Sequence, residues 1–261
     1  VPAPVLAGLF YLGAALSLAP SVLRGSRRDE EGRDGERGFL GWPRDARTRR
    51  LLFGAILFGG LLGPLLLLIG LERAAASSVA MLLNLETVAT ALLGLVIFRE
   101  HLGPWSWVGN AGVLAAGVML SFEGGQPGLV GALFVAAAAI CWGLDNQCTA
   151  LIDGITPQES TFWKGLVAGS VNLALGLTLT GASPALAWLT ALAVGALSYG
   201  ASIVLYISAA QDLGASRAQM VFASSPVFGV LGAVLFLGEG LSGLQLAAAG
   251  VLAVAIGGTA I

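Results

Sequence analysis

The sequence predicts an all-α polytopic membrane protein built from two inverted repeats of five transmembrane helices. Its composition, its apolar stretches and an internal repeat carry this prediction. Of 261 residues, 56% are hydrophobic and 11% are charged, and the mean hydropathy is +0.86. A chain with so few charges lacks the polar surface that a water-soluble domain needs. We therefore expect a lipid bilayer as its solvent.

Apolar stretches follow one another along almost the whole chain. Each has about 18 to 25 residues, enough for a helix to cross a hydrocarbon layer of about 30 Å. The predicted spans are 5–23, 51–71, 74–98, 105–122, 129–152, 159–181, 185–209, 216–238 and 243–261. Charged or turn-forming residues separate them. The sequence thus indicates nine spans.

An internal repeat divides the chain into two halves, 1–124 and 125–261. Residues in the first half recur 139 positions later: Ala76, Ser77, Met81, Leu92, Glu100 and Leu102 return as Ala215, Ser216, Met220, Leu231, Glu239 and Leu241. The second half holds five spans and the first half four. We therefore expect a further span ahead of Val1, with a nine-span protein as the alternative. Because five is odd, the two halves have opposite orientations in the membrane.

One long polar connection, 24–50, fixes the expected orientation. It contains nine of the 13 basic residues of the chain. The positive-inside rule assigns such a segment to the cytoplasm. Alternation then places the C-terminus in the cytoplasm as well. The short loops and the preference for arginine over lysine are typical of a bacterial inner-membrane protein.

Glycine is unusually frequent, with 38 residues in the chain. Within the predicted spans the GxxxG spacing occurs at Gly59/Gly63 and Gly165/Gly169. In membrane helices this spacing lets neighbouring backbones approach closely. We expect these glycines to mark helix contacts.

Three ionisable residues lie clearly inside predicted spans: Glu86, Asp145 and Lys164. A charge at membrane depth costs a few kcal/mol unless it has a partner or faces a watery cavity. Each therefore has a structural or a functional reason to be there. We take these three as the first candidate site residues.

Polar residues follow one face of two neighbouring spans. The first set is Trp142, Asp145, Asn146, Thr149 and Asp153, and the second is Thr161, Lys164, Ala168 and Asn172. At helical spacing each set forms one stripe. The short connection makes the two helices antiparallel neighbours, so we expect Asp145 to meet Lys164. A structural ion pair and a site for a substrate amine or carboxylate both fit this arrangement.

Glu86 lies at the middle of the span 74–98 and has no equally deep cation nearby in sequence. Burial disfavours a charged carboxylate. Glu86 is therefore a candidate for proton coupling. The alternative is a protonated, hydrogen-bonded side chain, with Asn84 or Thr90 as its helper.

Tyr199, Ser202 and Tyr206 lie on one side of the span 185–209. An aromatic wall suits an apolar or aromatic solute, although such residues also fill helix bundles.

Two prolines interrupt spans, Pro64 and Pro226. A proline removes one backbone donor and loosens the helix. Each is a candidate hinge, with a simple kink as the alternative. Ser225, next to Pro226, is a candidate polar wall residue.

Five segments together resemble the EamA-type transporters of the drug/metabolite transporter superfamily. They are NLETVATALLGLVIFREHL, GVLAAGVML, CWGLDNQCTALIDG, FWKGLVAGSVNLALGL and SSPVFGVLGAVLFLGEGL. The resemblance implies ten helices in two inverted five-helix repeats around a central cavity. It also implies the movement of a small organic solute. Thr87 follows Glu86 where the family often has proline, whereas the second repeat keeps Pro226.

We therefore expect a secondary transporter of a small organic metabolite, such as an amino acid, another metabolite or a drug-like solute. It would work by alternating access, in the direction of export. The expected partners are the solute, protons and the lipid bilayer, and association into a homodimer stays open. A scaffold or sensor that transports nothing is the alternative.

The sequence lacks the motifs of metal-dependent enzymes and of nucleotide-binding proteins. HExxH is absent, and the chain has one histidine, His101. A zinc site of the usual kind therefore has too few ligands, and we expect neither an enzyme nor a metal. No phosphate-binding loop follows a strand. We expect no nucleotide, no nucleic acid and no cofactor.

Overall fold

The computed structural model of the protein is a bundle of helices. It describes residues 2–31, 39–73, 82–101, 103–120, 129–180, 185–225, 228, 235 and 243–257. The helices are α1 (Ala3–Glu31), α2 (Ala46–Leu71), α3 (Leu85–Val96), α4 (Pro104–Leu120), α5 (Leu129–Ala150), α6 (Pro157–Thr180), α7 (Ala185–Gly195 continued by Ser202–Leu213), α8 (Ala215–Phe222) and α9 (Gly243–Gly257).

Each predicted span contains a helix in the described part of the chain. Five helical stretches there are long and apolar enough to cross a membrane: Ala3–Gly25, Ala46–Leu71, Leu129–Ala150, Pro157–Thr180 and Ala187–Leu213. Shorter apolar helices, such as α3, accompany them. The prediction of an all-α polytopic membrane protein is confirmed.

The polar connection 24–50 is shorter than hydropathy predicted. Helix α1 continues to Glu31, and α2 begins at Ala46. The Asp45 carboxylate accepts a hydrogen bond of 2.7 Å from the Thr48 backbone N–H and so caps α2. Backbone donors at this cap also hold the pKa of Asp45 below its ordinary value. A prediction from hydropathy ends a span at the first charged residue. The Asp45 cap lets helix α2 begin at Ala46, ahead of the arginines that precede the apolar stretch.

Helices α1 and α6 pack closely because two glycines of α6 face α1. A Cβ atom on Gly165 would lie 2.6 Å from the Tyr11 carbonyl oxygen. A Cβ atom on Gly169 would lie 2.8 Å from the Leu12 nitrogen. The helix contact that the GxxxG spacing predicted is therefore present.

Helices α2 and α7 each contain a π-helical stretch, Ala55–Leu62 in α2 and Ala196–Ala201 in α7. Such stretches leave carbonyl groups without their usual helical donors. Pro64 follows the first stretch. Because proline has no backbone N–H, it cannot donate a hydrogen bond to the Gly60 carbonyl four residues earlier. Asn172 Nδ2 donates to this oxygen at 2.8 Å. Pro64 thus lies at a distortion of α2, while Pro226 lies outside the described residues.

The turn between α3 and α4 is tied to the second half of the chain through Glu100. Arg99 has a left-handed backbone, with φ of 57°. The Glu100 carboxylate accepts from Ser216 Oγ at 2.7 Å and from Gln147 Nε2 at 2.9 Å. Glu100 therefore joins the ends of α3, α5 and α8. Its repeat counterpart, Glu239, lies outside the described residues.

Candidate functional site

A cavity of about 360 Å³ lies among the helices, with walls from α1, α2, α3, α5, α6, α7 and α8. Its polar lining is Glu86, Asp145, Asn146, Thr149, Lys164, Ser198, Ser202 and Gln219. Its aromatic lining is Tyr11, Trp142, Tyr199, Tyr206 and Phe222. Cavities of this size hold small organic molecules. The aromatic side chains give the cavity a largely apolar wall with a few polar groups.

The polar end of the cavity contains a buried ion pair between Lys164 Nζ and Asp145 Oδ2. The two residues are 5% and 6% exposed. Asp145 Oδ1 is buried and has no hydrogen-bond partner among the described residues. The spacing predicted this pair. One carboxylate oxygen is thus left for another donor.

Helix α2 approaches Asp145 through a glycine. A Cβ atom on Gly59 would collide with the Asp145 carboxylate. The Gly59 carbonyl lies in the π-helical stretch and accepts from Tyr11 Oη at 3.0 Å and from Trp142 Nε1 at 3.2 Å. The distorted turn of α2 therefore fixes two aromatic residues of the cavity wall.

Glu86 lies on another wall, in the first turn of α3. Its Oε1 accepts from Asn146 Nδ2 at 3.0 Å. The same Asn146 nitrogen lies 3.1 Å from Thr90 Oγ1 and 3.3 Å from Gln219 Oε1. Asn146 thereby links α3, α5 and α8 around the carboxylate. The hydrogen bond shown on Glu86 comes from a neutral amide.

The aromatic wall is made of edge-on ring pairs. Tyr199 meets Tyr11 at a centroid distance of 5.0 Å and an interplanar angle of 79°. Tyr206 meets Phe222 at 5.4 Å and 73°. The Tyr206 hydroxyl is buried and has no hydrogen-bond partner among the described residues. A buried hydroxyl in this state offers both a donor and an acceptor.

Most of the candidate site residues line the cavity. They are Pro64, Glu86, Trp142, Asp145, Asn146, Lys164, Tyr199, Ser202 and Tyr206. Three of them, Trp142, Asp145 and Asn146, belong to the polar stripe that the helical spacing predicted on α5. The predicted stripe does not extend to Asp153, because α5 ends at Ala150 and Asp153 is exposed beyond it.

Three candidates do not line the cavity. Asn172 is buried and bonded to the Gly60 carbonyl of α2. Ser225 is exposed, and Asn84 is half-buried just before α3. Glu86 lies in the first turn of α3, which begins at Leu85.

Sequence reasoning missed Tyr11 and Gln219, which both line the cavity. Each is a polar side chain within a predicted membrane span, which is the signal that could have found them. No helical stripe includes them, because among the described lining residues each is the one polar residue from its helix.

The arrangement can bind a small molecule. Asp145 Oδ1 can accept a hydrogen bond, and Tyr206 Oη can donate or accept one. The aromatic pairs offer apolar contact. Among the described residues, no three His, Cys, Asp or Glu side chains form a group that could hold a metal ion.

Comparison with known proteins gives consistent matches. Residues 2–122 and 129–261 match the EamA-like transporter family. An uncharacterized transporter of Methanothermobacter thermautotrophicus is 30% identical over an alignment of 216 residues, and the match covers 77% of this chain and 62% of that protein. A solved crystal structure aligns with 100% of this chain and 89% of its own, with a TM-score of 0.79 and 18% identity. At that identity the alignment shows a shared fold.

Proposed function

The chain belongs to the EamA-like transporter family, and from this premise we propose that it moves a small amphipathic organic solute across the membrane through the cavity described above. As an integral membrane protein it has the bilayer around it. The solute occupies the space between the Asp145–Lys164 ion pair and the aromatic wall. The proposed cycle is alternating access, with export as its direction.

Two buried, unpartnered polar atoms on residues that line the cavity support this proposal most directly. Asp145 Oδ1 and Tyr206 Oη are both buried without hydrogen-bond partners among the described residues. A buried polar atom without a partner costs about 1–3 kcal/mol. A solute that bonds to both atoms recovers that cost on binding. The site is therefore arranged for a ligand with polar groups.

The chemistry of the walls indicates the kind of solute. Asp145 Oδ1 requires a donor, such as an ammonium or hydroxyl group. Lys164 could in turn face a carboxylate, since an ammonium has three donors and one is shown on Asp145. The rings of Tyr199, Tyr206 and Phe222 suit an apolar portion. We infer a solute with a donor group at one end and an apolar body.

The internal repeat supports alternating access. Halves 1–124 and 125–261 of opposite orientation can exchange conformations about a site between them. The cavity is lined by residues of both halves, for example Glu86 and Gln219. The arginines of 24–50 favour a cytoplasmic position for that segment and for the C-terminus.

The test begins with a thermal-shift screen of amines, amino acids and other metabolites on the purified protein. Compounds that stabilise the protein are then assayed for flux in proteoliposomes. Tyr206→Phe should weaken binding of the best compound about 5- to 30-fold, because one hydrogen bond of about 1–2 kcal/mol is lost. The thermal stability of this variant without ligand should stay the same or rise, because the unpartnered hydroxyl is removed.

Tyr11→Phe is the matched control. Its hydroxyl donates to the Gly59 carbonyl, so its removal should lower thermal stability. A screen in which no stabilising compound is transported would contradict the proposal. So would unchanged affinity in Tyr206→Phe for every compound that binds.

A further inference from the structure

A basic and aromatic surface lies at the start of α2, away from the cavity. We call the described residues 39–50 the arginine platform. It exposes Arg44, Arg47, Arg49 and Arg50, with Asp45 as its one acidic residue. Phe39 is 75% exposed and Trp42 is 38% exposed. Basic and bulky aromatic groups therefore share one short segment.

The platform has a defined shape because α6 holds it from below. Trp163 Nε1 donates to the Leu40 carbonyl at 3.0 Å. The Trp42 ring meets the Trp163 ring edge-on, with centroids 4.8 Å apart. Gly41 is buried against the Glu159 side chain, with a left-handed backbone of φ 68°. The aromatic residues are thus presented by a fixed turn.

A crevice of about 540 Å³ opens beside the arginines. Residues of the segment 43–48, with the acidic Asp45 among them, form one side, and Asp153 and Gly154 form the other. Thr48 Oγ1 donates to the Asp153 carbonyl at 2.9 Å, which joins the two sides. The crevice is polar and large enough for a phosphate-containing headgroup.

We propose that the arginine platform binds the headgroups of anionic phospholipids in the leaflet next to it. The apolar span 51–71 that the sequence predicts begins directly after Arg50, so we place the platform at the level of the headgroups. Guanidinium groups bind phosphate with paired hydrogen bonds. Exposed aromatic rings are typical of the membrane interface. The positive charge of the platform and its position at the membrane surface therefore both favour an anionic phospholipid.

A bound lipid would act on the cavity through α6. The platform rests on Trp163, and the next residue, Lys164, carries the ion pair of the cavity. Lipid that fixes the platform also fixes this part of α6. Anionic lipid is therefore expected to stabilise the folded protein, by linkage of binding to folding.

The test compares the purified full-length protein in mixed micelles that contain phosphatidylglycerol or phosphatidylcholine. Retained lipid is counted by native mass spectrometry, and thermal stability is measured in parallel. Phosphatidylglycerol should be retained and should raise the melting temperature above that in phosphatidylcholine. In Arg47→Gln/Arg50→Gln, affinity for phosphatidylglycerol should fall roughly 10- to 25-fold, since each interfacial arginine contributes about fivefold.

Arg99→Gln/Arg217→Gln removes two exposed arginines outside the platform and is the matched control. It should keep the affinity of the wild type. Equal loss in this control, or full retention in Arg47→Gln/Arg50→Gln, would overturn the proposal. So would equal stabilisation by inorganic phosphate, because the site would then bind the soluble anion.

A second variant separates binding from folding. Phe39→Ser changes an exposed ring, so its melting temperature in phosphatidylcholine should match that of the wild type. Its affinity for phosphatidylglycerol should fall a few-fold. Unchanged affinity in both the Phe39 and the arginine variants would show that lipid does not use this surface.

Discussion

Glu86 and Asp145 are carboxylates on the same cavity, but their partners differ. Asp145 lies against the ammonium group of Lys164 and is 6% exposed. Glu86 accepts a hydrogen bond from the Asn146 amide and is half-buried. One carboxylate is compensated by a full charge, and the other is held by a neutral donor. The two therefore respond differently to loss of a partner or to a proton.

This difference separates two roles within one site. A buried charge with a charged partner is a fixed feature, because removal of either member leaves the other uncompensated. A carboxylate that meets a neutral amide keeps its position whether or not it carries a proton. We infer that Asp145 organises the cavity, whereas Glu86 is the better candidate for proton coupling.

The largest expected effect on stability comes from Lys164→Met. It leaves Asp145 buried without its cation, which costs about 3–5 kcal/mol. We expect a much lower melting temperature in micelles and little folded protein. Asp145→Leu/Lys164→Met should recover most of the loss, because both buried charges are gone.

Arg73→Met gives the contrast for an exposed pair. Arg73 NH1 lies 3.5 Å from Glu72 Oε2, and the two side chains are 45% and 76% exposed. Loss of such a pair costs at most about 1 kcal/mol. Equal destabilisation by Lys164→Met and Arg73→Met would show that the pair at the cavity is not a structural requirement.

An intermediate effect is expected from Gly59→Ala. The added methyl group would collide with the Asp145 carboxylate and push α2 from α5. Overpacking of this kind costs about 1–3 kcal/mol. The change should also disturb Asp145 while leaving Glu86 in place, so it tests the two carboxylates separately.

Gly250→Ala is its matched control, since a Cβ atom there has no described residue within 4 Å. Alanine is favoured over glycine in a helix by up to about 1 kcal/mol. Gly250→Ala should therefore be neutral or stabilising. A neutral Gly59→Ala would argue that α2 can move away from Asp145 without cost.

Sequence predicted the helices and one of the two carboxylate environments. Hydropathy predicted a helix within each span, and five of the described helical stretches are long and apolar enough to cross a membrane. The contact between Asp145 and Lys164 was also predictable. A short loop joins their two helices, and each residue belongs to the polar stripe of its helix. Both signals are local in the chain.

The rest of the site depends on contacts between distant segments. Glu86 and Asn146 are 60 residues apart, and no spacing rule connects α3 with α5. The π-helical turn at Gly59 satisfies its carbonyl through Tyr11 and Trp142, which belong to other helices. Tertiary packing fixes such features, and a single sequence carries no periodic signal for them.

The smallest effect on stability, and the sharpest on function, is expected from Glu86→Gln. The amide keeps a carbonyl oxygen that can accept from Asn146 Nδ2, so the melting temperature should change little, by less than about 1 kcal/mol in unfolding free energy. The Gln side chain is not ionisable, so it cannot take up and release a proton as a carboxylate does. In proteoliposomes a pH gradient should therefore no longer drive solute accumulation, while solute exchange continues. Glu72→Gln, at an exposed site, should leave both activities intact. Undiminished accumulation in Glu86→Gln would assign coupling to another group and would remove the functional distinction between the two carboxylates.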